Sequence, residues 1–463
     1  MPSLVDSLAA AAHSLNSYQQ AMQVVSNDTT NSATPGYVNQ EPEFTADSFS
    51  ISGGGAGGVT MGGLLNSRDE YAEQTVRDAQ SAENFASTMA TSLQSVEGIF
   101  PLATSASSST SGFGIGGDLN DLVSAFSSLT TNPNDTASRQ SVLNAAGNLA
   151  TAVGEAYSGL TTVEQNTYSQ ARSYVQQINS LTSQIQEINV AKQKQASALT
   201  DPGLDSQLHS DLETLSQLVN ITTQTANDGT TSVFLGGRTP LVMGAEQYSI
   251  SAASASGNLE VLDANGNDVS SYATGGKLGA LSTLANQTLP GYINQLNTLA
   301  ASFADTINTT LSGGMDQNGN PGAPLFSYTS TSPAQTLSVT MTNPKQIAAA
   351  STSNPGGNGN AIALSNLDNV PQPALGGFTF TSYYGNLASL VGTDSSKAQS
   401  DQTTNQQILT QAQTLRSNVS GISLDQEATE LTEYQQAYDA TSKLVNVIDQ
   451  MMQDLMNMYP TTV

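Results

Sequence analysis

The sequence predicts a mainly α chain: a long helical-bundle arm, coiled-coil-forming termini and an inserted, small β domain. Three observations carry that class. Apolar residues at both ends recur in alternating steps of three and four. Residues 136–198 contain no proline. From Ile221 the apolar period drops to two, between Asn-Asp-Gly, Gly-Gly and Asn-Gly turns.

The first helix is expected over residues 4–29, with a seam of Leu4, Leu8, Ala11, Leu15, Tyr18, Met22 and Val25, and Ser3 with Asp6 as a capping box. Residues 31–67 read as turn-rich. Thr34-Pro35-Gly36-Tyr37 is a turn signal, and the glycine run 53–58 lacks the Lys-Ser/Thr of a phosphate loop and reads as linker. A helix over 68–100 carries the stripe Ala82, Ala86, Met89, Leu93, Val96 and Phe100, followed by a Ser/Gly-rich loop over 103–117. A short helix to Leu129 precedes a long helical stretch, 136–198, expected to bend or break near Gly154–Gly159. Pro202-Gly203 ends it, and 204–219 is another helix.

Short strands are expected at 221–224, 232–235, 240–243 and 259–262, a helix at 277–311, strand and loop over 312–344, and a helix over 380–419. The last helix carries the second seam: Leu431, Tyr434, Tyr438, Thr441, Val445, Ile448, Met452, Leu455 and Tyr459. Ser423 with Gln426 reads as its capping box. Two such seams suit the helices of an ordinary bundle. They equally suit ends that pair with each other or with other copies and fold on assembly.

With 12 Lys and Arg against 38 Asp and Glu, the net charge is −26, which disfavours nucleic acid and anionic membrane as partners. Cysteine is absent, which excludes disulfides and thiolate chemistry. No Lys or Arg precedes Arg68, so neither a secretory signal nor a transit peptide is expected, and no apolar run is long enough for a bilayer span. His13 is expected in solvent, and His209 in surface ion pairs with Asp205 and Glu213. Segments 263–267 and 316–320 mimic calcium loops. They hold Asp268 and Pro321 where such loops need Gly, and Thr274 and Ser327 where they need Glu, so both read as Asn-Gly turns. No catalytic, cofactor or metal constellation is predicted.

Ser26 to Gln40, with Asn27, Asn31, Thr34, Gly36 and Tyr37 in register, closely resembles the segment after the first helix of flagellar rod, hook and hook-associated proteins. Thr29, Thr30 and Asn39 depart from it, standing where Ile, Ala and Arg are usual. Ser420–Glu427 with Tyr434-Gln435-Gln436-Ala437-Tyr438 is similar to the end of the same group. Asn132–Leu143, Leu215–Val219, Gly275–Leu281 and Tyr383-Tyr384 look most like the hook-associated branch of this flagellar axial family.

The resemblance implies a structural protein of the bacterial flagellum at the hook–filament junction, secreted through the flagellar type III apparatus and not an enzyme. Its implied partners are copies of itself, hook protein, the next hook-associated junction protein, and an export chaperone at the C-terminal region. The implied domains are an axial coiled-coil core (1–32 and 420–463, disordered in the monomer), a helical domain (33–220, 276–312 and 345–419), and a β-rich outer domain (221–275 and 313–344). Another axial protein of the hook, rod or filament is the alternative, with a coiled-coil scaffold behind it. A cell-wall glycan hydrolase would need a catalytic carboxylate or metal set that the sequence does not offer.

Overall fold

The computed structural model describes residues 4–50, 55–101, 114–255 and 257–458. The expected cap Ser3, the seam residue Tyr459, Gly53-Gly54 and most of the 103–117 loop lie outside them. In chain order the helices are α1 (Leu4–Asn31), α2 (Glu70–Glu97), α3 (Ile115–Thr131), α4 (Thr136–Lys194), α5 (Pro202–Leu218), α6 (Gly276–Thr283), α7 (Leu289–Ser312), α8 (Pro333–Thr336), α9 (Gly359–Ser365), α10 (Phe380–Ser420) and α11 (Leu424–Met458). The strands are β1 (Gln40–Ala46), β2 (Phe49–Ser50), β3 (Gly55–Ala56), β4 (Val59–Asn66), β5 (Ile221–Thr225), β6 (Thr231–Leu235), β7 (Thr239–Met243), β8 (Glu246–Gln247), β9 (Ser251–Ala255), β10 (Asn258–Leu262), β11 (Gly314–Met315), β12 (Phe326–Ser327), β13 (Ser338–Val339) and β14 (Ala350–Ser351).

Two compact units emerge. The first holds residues 1–82, 177–249 and 406–463; the second holds 83–176 and 250–405. Helices α2, α4 and α10 contribute turns to both.

In the first unit, α1 and α11 pack together, and β5-β6-β7-β8 form a four-stranded antiparallel meander. Side-chain amides fix the meander to α4, among them that of Asn189. Asn189, fully buried, donates to the carbonyls of Thr231 (2.9 Å) and Gly244 (2.7 Å) and accepts the Thr231 N–H (2.9 Å). Three of that amide's hydrogen-bonding positions are filled at once, which makes a buried polar side chain favourable.

The segment 31–67, expected as turns and linker, contains a hairpin. β1 pairs antiparallel with β4 from Gln40↔Asn66 to Ala46↔Val59, with a bulge at Glu43/Phe44, and β2 pairs with β3. Its strands lack apolar alternation because polar contacts hold them on α1. Ser14 Oγ accepts the Val59 N–H at 3.0 Å, and Ser17 Oγ accepts from Met61 N–H at 3.1 Å while donating to Val59 O at 3.2 Å.

The second unit has the larger helical core, centred on Phe126, Leu129, Leu149, Leu160, Phe303 and Phe326. Phe303 meets Phe326 edge-on at 5.5 Å between ring centroids, a favoured aromatic geometry. Helix α4 runs through Gly154 and Gly159 unbroken, against expectation. A Cβ on Gly159 would stand 3.1 Å from Ile99 Cδ1, so this glycine makes room for a packed side chain. The helix expected at 277–311 is present as α6 and α7, joined by a π-turn at Leu284–Thr288. The turn lies beside β10: Asn286 accepts the Leu259 N–H (2.7 Å) and donates to Leu259 O (2.9 Å).

The strands expected in one outer β domain are divided: β5–β8 fall in the first unit, and β9, β10 and the short strands within 313–344 in the second. Both Asn-Gly segments form the same turn. Asp263 Oδ1 accepts the N–H groups of Asn265 (2.8 Å) and Asn267 (2.9 Å), and Asp316 Oδ1 those of Asn318 (2.8 Å) and Asn320 (2.7 Å). These N–H bonds help hold both carboxylates below their ordinary range.

Arg139, 2% exposed at the start of α4, ties that helix to distant loops. Its guanidinium donates to the carbonyls of Pro133 (2.8 Å), Pro344 (3.3 Å) and Ile347 (2.6 Å). Arg139→Met leaves buried carbonyls without donors and is expected to cost about 2–4 kcal/mol of unfolding free energy. Urea unfolding followed by circular dichroism checks this; an unchanged midpoint would show the clamp to be idle.

Candidate functional site

The candidate site is the terminal helix pair with the turn that leaves it. Leu4 and Ala11 line one open groove, of about 610 Å³, with Thr441, Ile448 and Met451. At the opposite end Asp28 and Glu430 lie close enough to Glu427 for their charges to act on it. The pair is therefore antiparallel. Ala11, Val25 and Ile448 are buried; Leu4, Leu8, Leu15, Tyr18, Met22, Leu431, Tyr434, Tyr438, Thr441, Val445 and Met452 are half-buried, and Leu455 is exposed. Phe44 of β1 stands between the two helices, 5.9 Å from the Tyr18 ring and 5.7 Å from the Tyr434 ring.

The most buried face of α1 also contains Ser14, Ser17, Ala21 and Asp28, outside the expected seam. They pack too closely for large side chains, and small polar residues leave no apolar periodicity to read. On α11, Leu444, Val447, Met451, Leu455, Met456 and Met458 remain exposed, as does Val5 on α1. At the start of α11, Ser423 Oγ accepts the Gln426 N–H at 3.4 Å, while the Gln426 side chain turns to Glu430. The expected reciprocal box is thus only a serine cap, because Gln426 finds a partner one turn on.

Past α1, the turn motif is a hydrogen-bonded knot. Thr34 donates to Asn31 Oδ1 (3.0 Å), Asn31 to Asn27 Oδ1 (2.9 Å), Asn27 to the Tyr37 hydroxyl (2.9 Å), and that hydroxyl to Asp28 Oδ1 (2.7 Å). Gly36 has φ +75°, and a Cβ there would lie 2.4 Å from Ser206 O and 2.9 Å from Ser210 N of α5. Only glycine satisfies both the left-handed backbone and that approach. Asn27, Asn31, Thr34 and Tyr37 line an open groove of about 570 Å³ with Ser206 and Ser210. Thr29 and Thr30, departures from the motif, donate to Val25 O (2.8 Å) and Ser26 O (2.7 Å) on the exposed side of α1.

Beneath the turn lies a charge network that sequence reasoning missed. Arg68 donates to Gly36 O (2.7 Å), Glu73 (2.6 Å) and Asp205 (2.7 Å). Arg416 bridges Glu73 (3.3 Å) and Glu213 (2.8 Å). The residues are far apart in sequence, so no local spacing marks them. His209, expected at the surface, is 6% exposed, with Nε2 3.7 Å from Asp205 and 3.9 Å from Glu70. It is buried because α5 forms the floor under the turn and the start of α2. Burial, with Arg68, Arg77, Lys192 and Arg416 around it, holds the imidazole well below its ordinary value. His13 is exposed. Among the described residues no group of three or more His, Cys, Asp or Glu could hold a metal ion, and no helix is long and apolar enough to cross a membrane.

Two outcomes follow. Gly36→Ala is expected to cost at least about 2 kcal/mol from left-handed strain and the clash with α5; urea unfolding reads this, and a neutral effect would refute the close approach. The neutral His209 contributes stability above its unfolded pKa of about 6.5, and acidification below that value removes it, because the unfolded state then binds the extra proton. Wild type should therefore lose stability relative to His209→Gln between about pH 6.5 and 5. Parallel pH profiles of the two proteins would contradict it.

The comparisons with known proteins converge on one group. The family model described as the flagellar hook-associated protein FlgK helical domain matches residues 104–326. That described as the flagellar basal body rod FlgEFG protein C-terminal matches 404–458. Flagellar hook-associated protein 1 of Bacillus subtilis is 22% identical over 99% of both chains. The protein of that name from Salmonella typhimurium is 26% identical over 69% of this chain and 59% of its own length. The solved structure of the flagellar hook junction protein FlgK from Burkholderia pseudomallei is similar in fold, with a TM-score of 0.67 at 18% identity, covering 75% of this chain and 100% of that one. With the turn motif and the paired ends in their places, the chain is similar over its whole length to flagellar hook-associated protein 1 and shares the fold of the hook junction protein.

Proposed function

We propose that the protein is a structural adaptor at the hook–filament junction, exported unfolded through the flagellar type III apparatus and then assembled from copies of itself. The observation that carries this reading is the terminal helix pair. It buries one face within the chain and leaves Leu444, Val447, Met451 and Leu455 exposed along α11. A row of this kind on a soluble helix marks a surface made for a partner. On this reading the pair, 1–32 with 420–463, is the axial core, and the seam and motif residues set its interface. Hook protein lies on one side, the next hook-associated junction protein on the other, and an export chaperone takes the C-terminal region before assembly. The reading assigns no catalysis.

The C-terminal match is to a segment described for flagellar basal body rod protein, so that end fits the alternative of another axial protein equally well. The helical-domain match over 104–326 favours the junction reading.

A strain lacking the protein should make hooks without filaments and release filament subunits into the medium, seen by electron microscopy and blotting. Complementation with Val447, Leu455 and Met456 all changed to Ser should restore the exported protein but not swimming. These side chains are exposed and do not line the groove that α11 shares with Leu4 and Ala11, so the loss would fall on assembly. A swimming triple variant would remove α11's outer face from the interface.

A further inference from the structure

The C-terminal turns of α10, from Gln406 on, belong to the first unit and are thinly covered. Between Gln406 and Val419 only Leu409 and Ala412 are buried, where they meet Val76 and Ala79 of α2 in a small apolar cluster. Ile408, Leu415 and Val419 stay exposed. Steps of seven and four put these three on one side of the helix. Tyr71 of α2 is 79% exposed. Between the two helices runs an open groove of about 600 Å³, lined by Thr75 of α2 and by Ile408, Gln411, Leu415 and Asn418 of α10. A surface helix of a folded domain ordinarily carries one apolar stripe; this one carries a second that stays uncovered.

The chemistry of the groove selects its occupant. From Gln406 to Leu415 there is no charged residue, in a chain of net charge −26. Charge resumes at Arg416, which Glu73 and Glu213 hold. The side-chain amides of Gln407, Gln411 and Asn418 find no partner among the described residues, so each still offers donors and an acceptor. A nucleic acid or an anionic membrane would need cations here, and a basic protein would need carboxylates. The stretch supplies neither. A second copy of the chain needs neither. It carries the same net charge of −26 and is repelled wherever carboxylates face each other, so it approaches at least cost where the surface is neutral, apolar and able to hydrogen-bond. The exposed apolar residues also continue in sequence from Val419 to Leu424 and on to the outer row of α11, which the junction reading gives to neighbouring copies.

We propose that the α2–α10 groove of the first unit seats the next copy of the chain, with Ile408 and Leu415 as its anchors. The inference rests on the junction reading and adds to it a contact in the body of the first unit, which does not require the termini to be ordered before assembly. Copies arranged around one axis all point the same way, so the groove meets a different face of its neighbour. Such a heterologous contact closes into a ring or runs on as a helix, whereas a groove-to-groove pair would stop at two copies.

The test places the photo-crosslinker p-benzoylphenylalanine at Gln411 in the full chain and irradiates purified flagella. The expected product has twice the mass of the chain, contains this protein alone, and joins position 411 to a peptide from another part of the neighbouring copy. A product with hook protein or filament subunits would overturn the proposal and leave the junction reading standing. So would a join of 411 to 411, or no product from protein that is present in the flagella. Protein absent from the flagella would remove the junction reading and the proposal with it. In parallel, Ile408→Glu with Leu415→Glu should keep the wild-type urea midpoint, since both side chains are exposed, and should reduce swimming to that of the deletion strain. Wild-type swimming by this variant would overturn the proposal; if its midpoint falls, the crosslink alone decides.

Discussion

The guanidinium of Arg68 reaches three segments at once: the Gly36 carbonyl in the turn, Glu73 in α2 and Asp205 in α5. Glu73 passes the connection to Arg416 of α10, and Arg416 passes it back to Glu213 of α5. Arg68 and Glu73 side chains are 3% and 4% exposed, so the pair is dry, and a dry ion pair tolerates little freedom in its partners. Because the chain has only 12 Lys and Arg, gathering Arg68, Arg77, Lys192 and Arg416 around one histidine is a large concentration of its positive charge. The exit of α1, the start of α2, the floor formed by α5 and the last turns of α10 are all set by this network. Ser420, one turn beyond Arg416, then exchanges hydrogen bonds with Ser67 and Asp69, which fixes where α11 begins.

The helical frame was legible because apolar side chains with a fixed period leave a record in the sequence. Both terminal seams, the long α4 and the strands near 221–243 could be read that way. The hairpin of β1 and β4 could not, because Ser14 and Ser17 hold it by hydrogen bonds that any surface helix could offer. The continuity of α4 through Gly159 was hidden for the reverse reason. Glycine signals weakness locally, but here it leaves room for Ile99, a tertiary fact.

The site was legible in outline. Asn27, Asn31, Thr34, Gly36 and Tyr37 could be named from their order, and their geometry explains that order: each side chain hands a hydrogen bond to the next, and Gly36 sits against the α5 backbone. What sequence reasoning could not supply was the partner of the turn. Ser206, which donates to Pro35 O at 2.9 Å, lies 171 positions away. His209 was misplaced for the same reason, since its i±4 acids suggest a solvent face while α5 is a floor.

The asparagines carry a separate consequence. Asn189 and Asn286 join helices to strand backbone, and Asn308 does so again, accepting from Leu325 and Phe326 N–H while donating to Phe326 O. These clasps are neutral. Coulomb contacts between exposed charges fade with ionic strength, whereas a buried amide bonded to backbone is indifferent to it. Only 11% of the residues are charged, so most of the tertiary stitching has no dependence on the electrolyte around it. The clasps themselves therefore hold alike in dilute water and in brine, while the repulsion among the carboxylates that give the chain its net charge of −26 eases as salt is added.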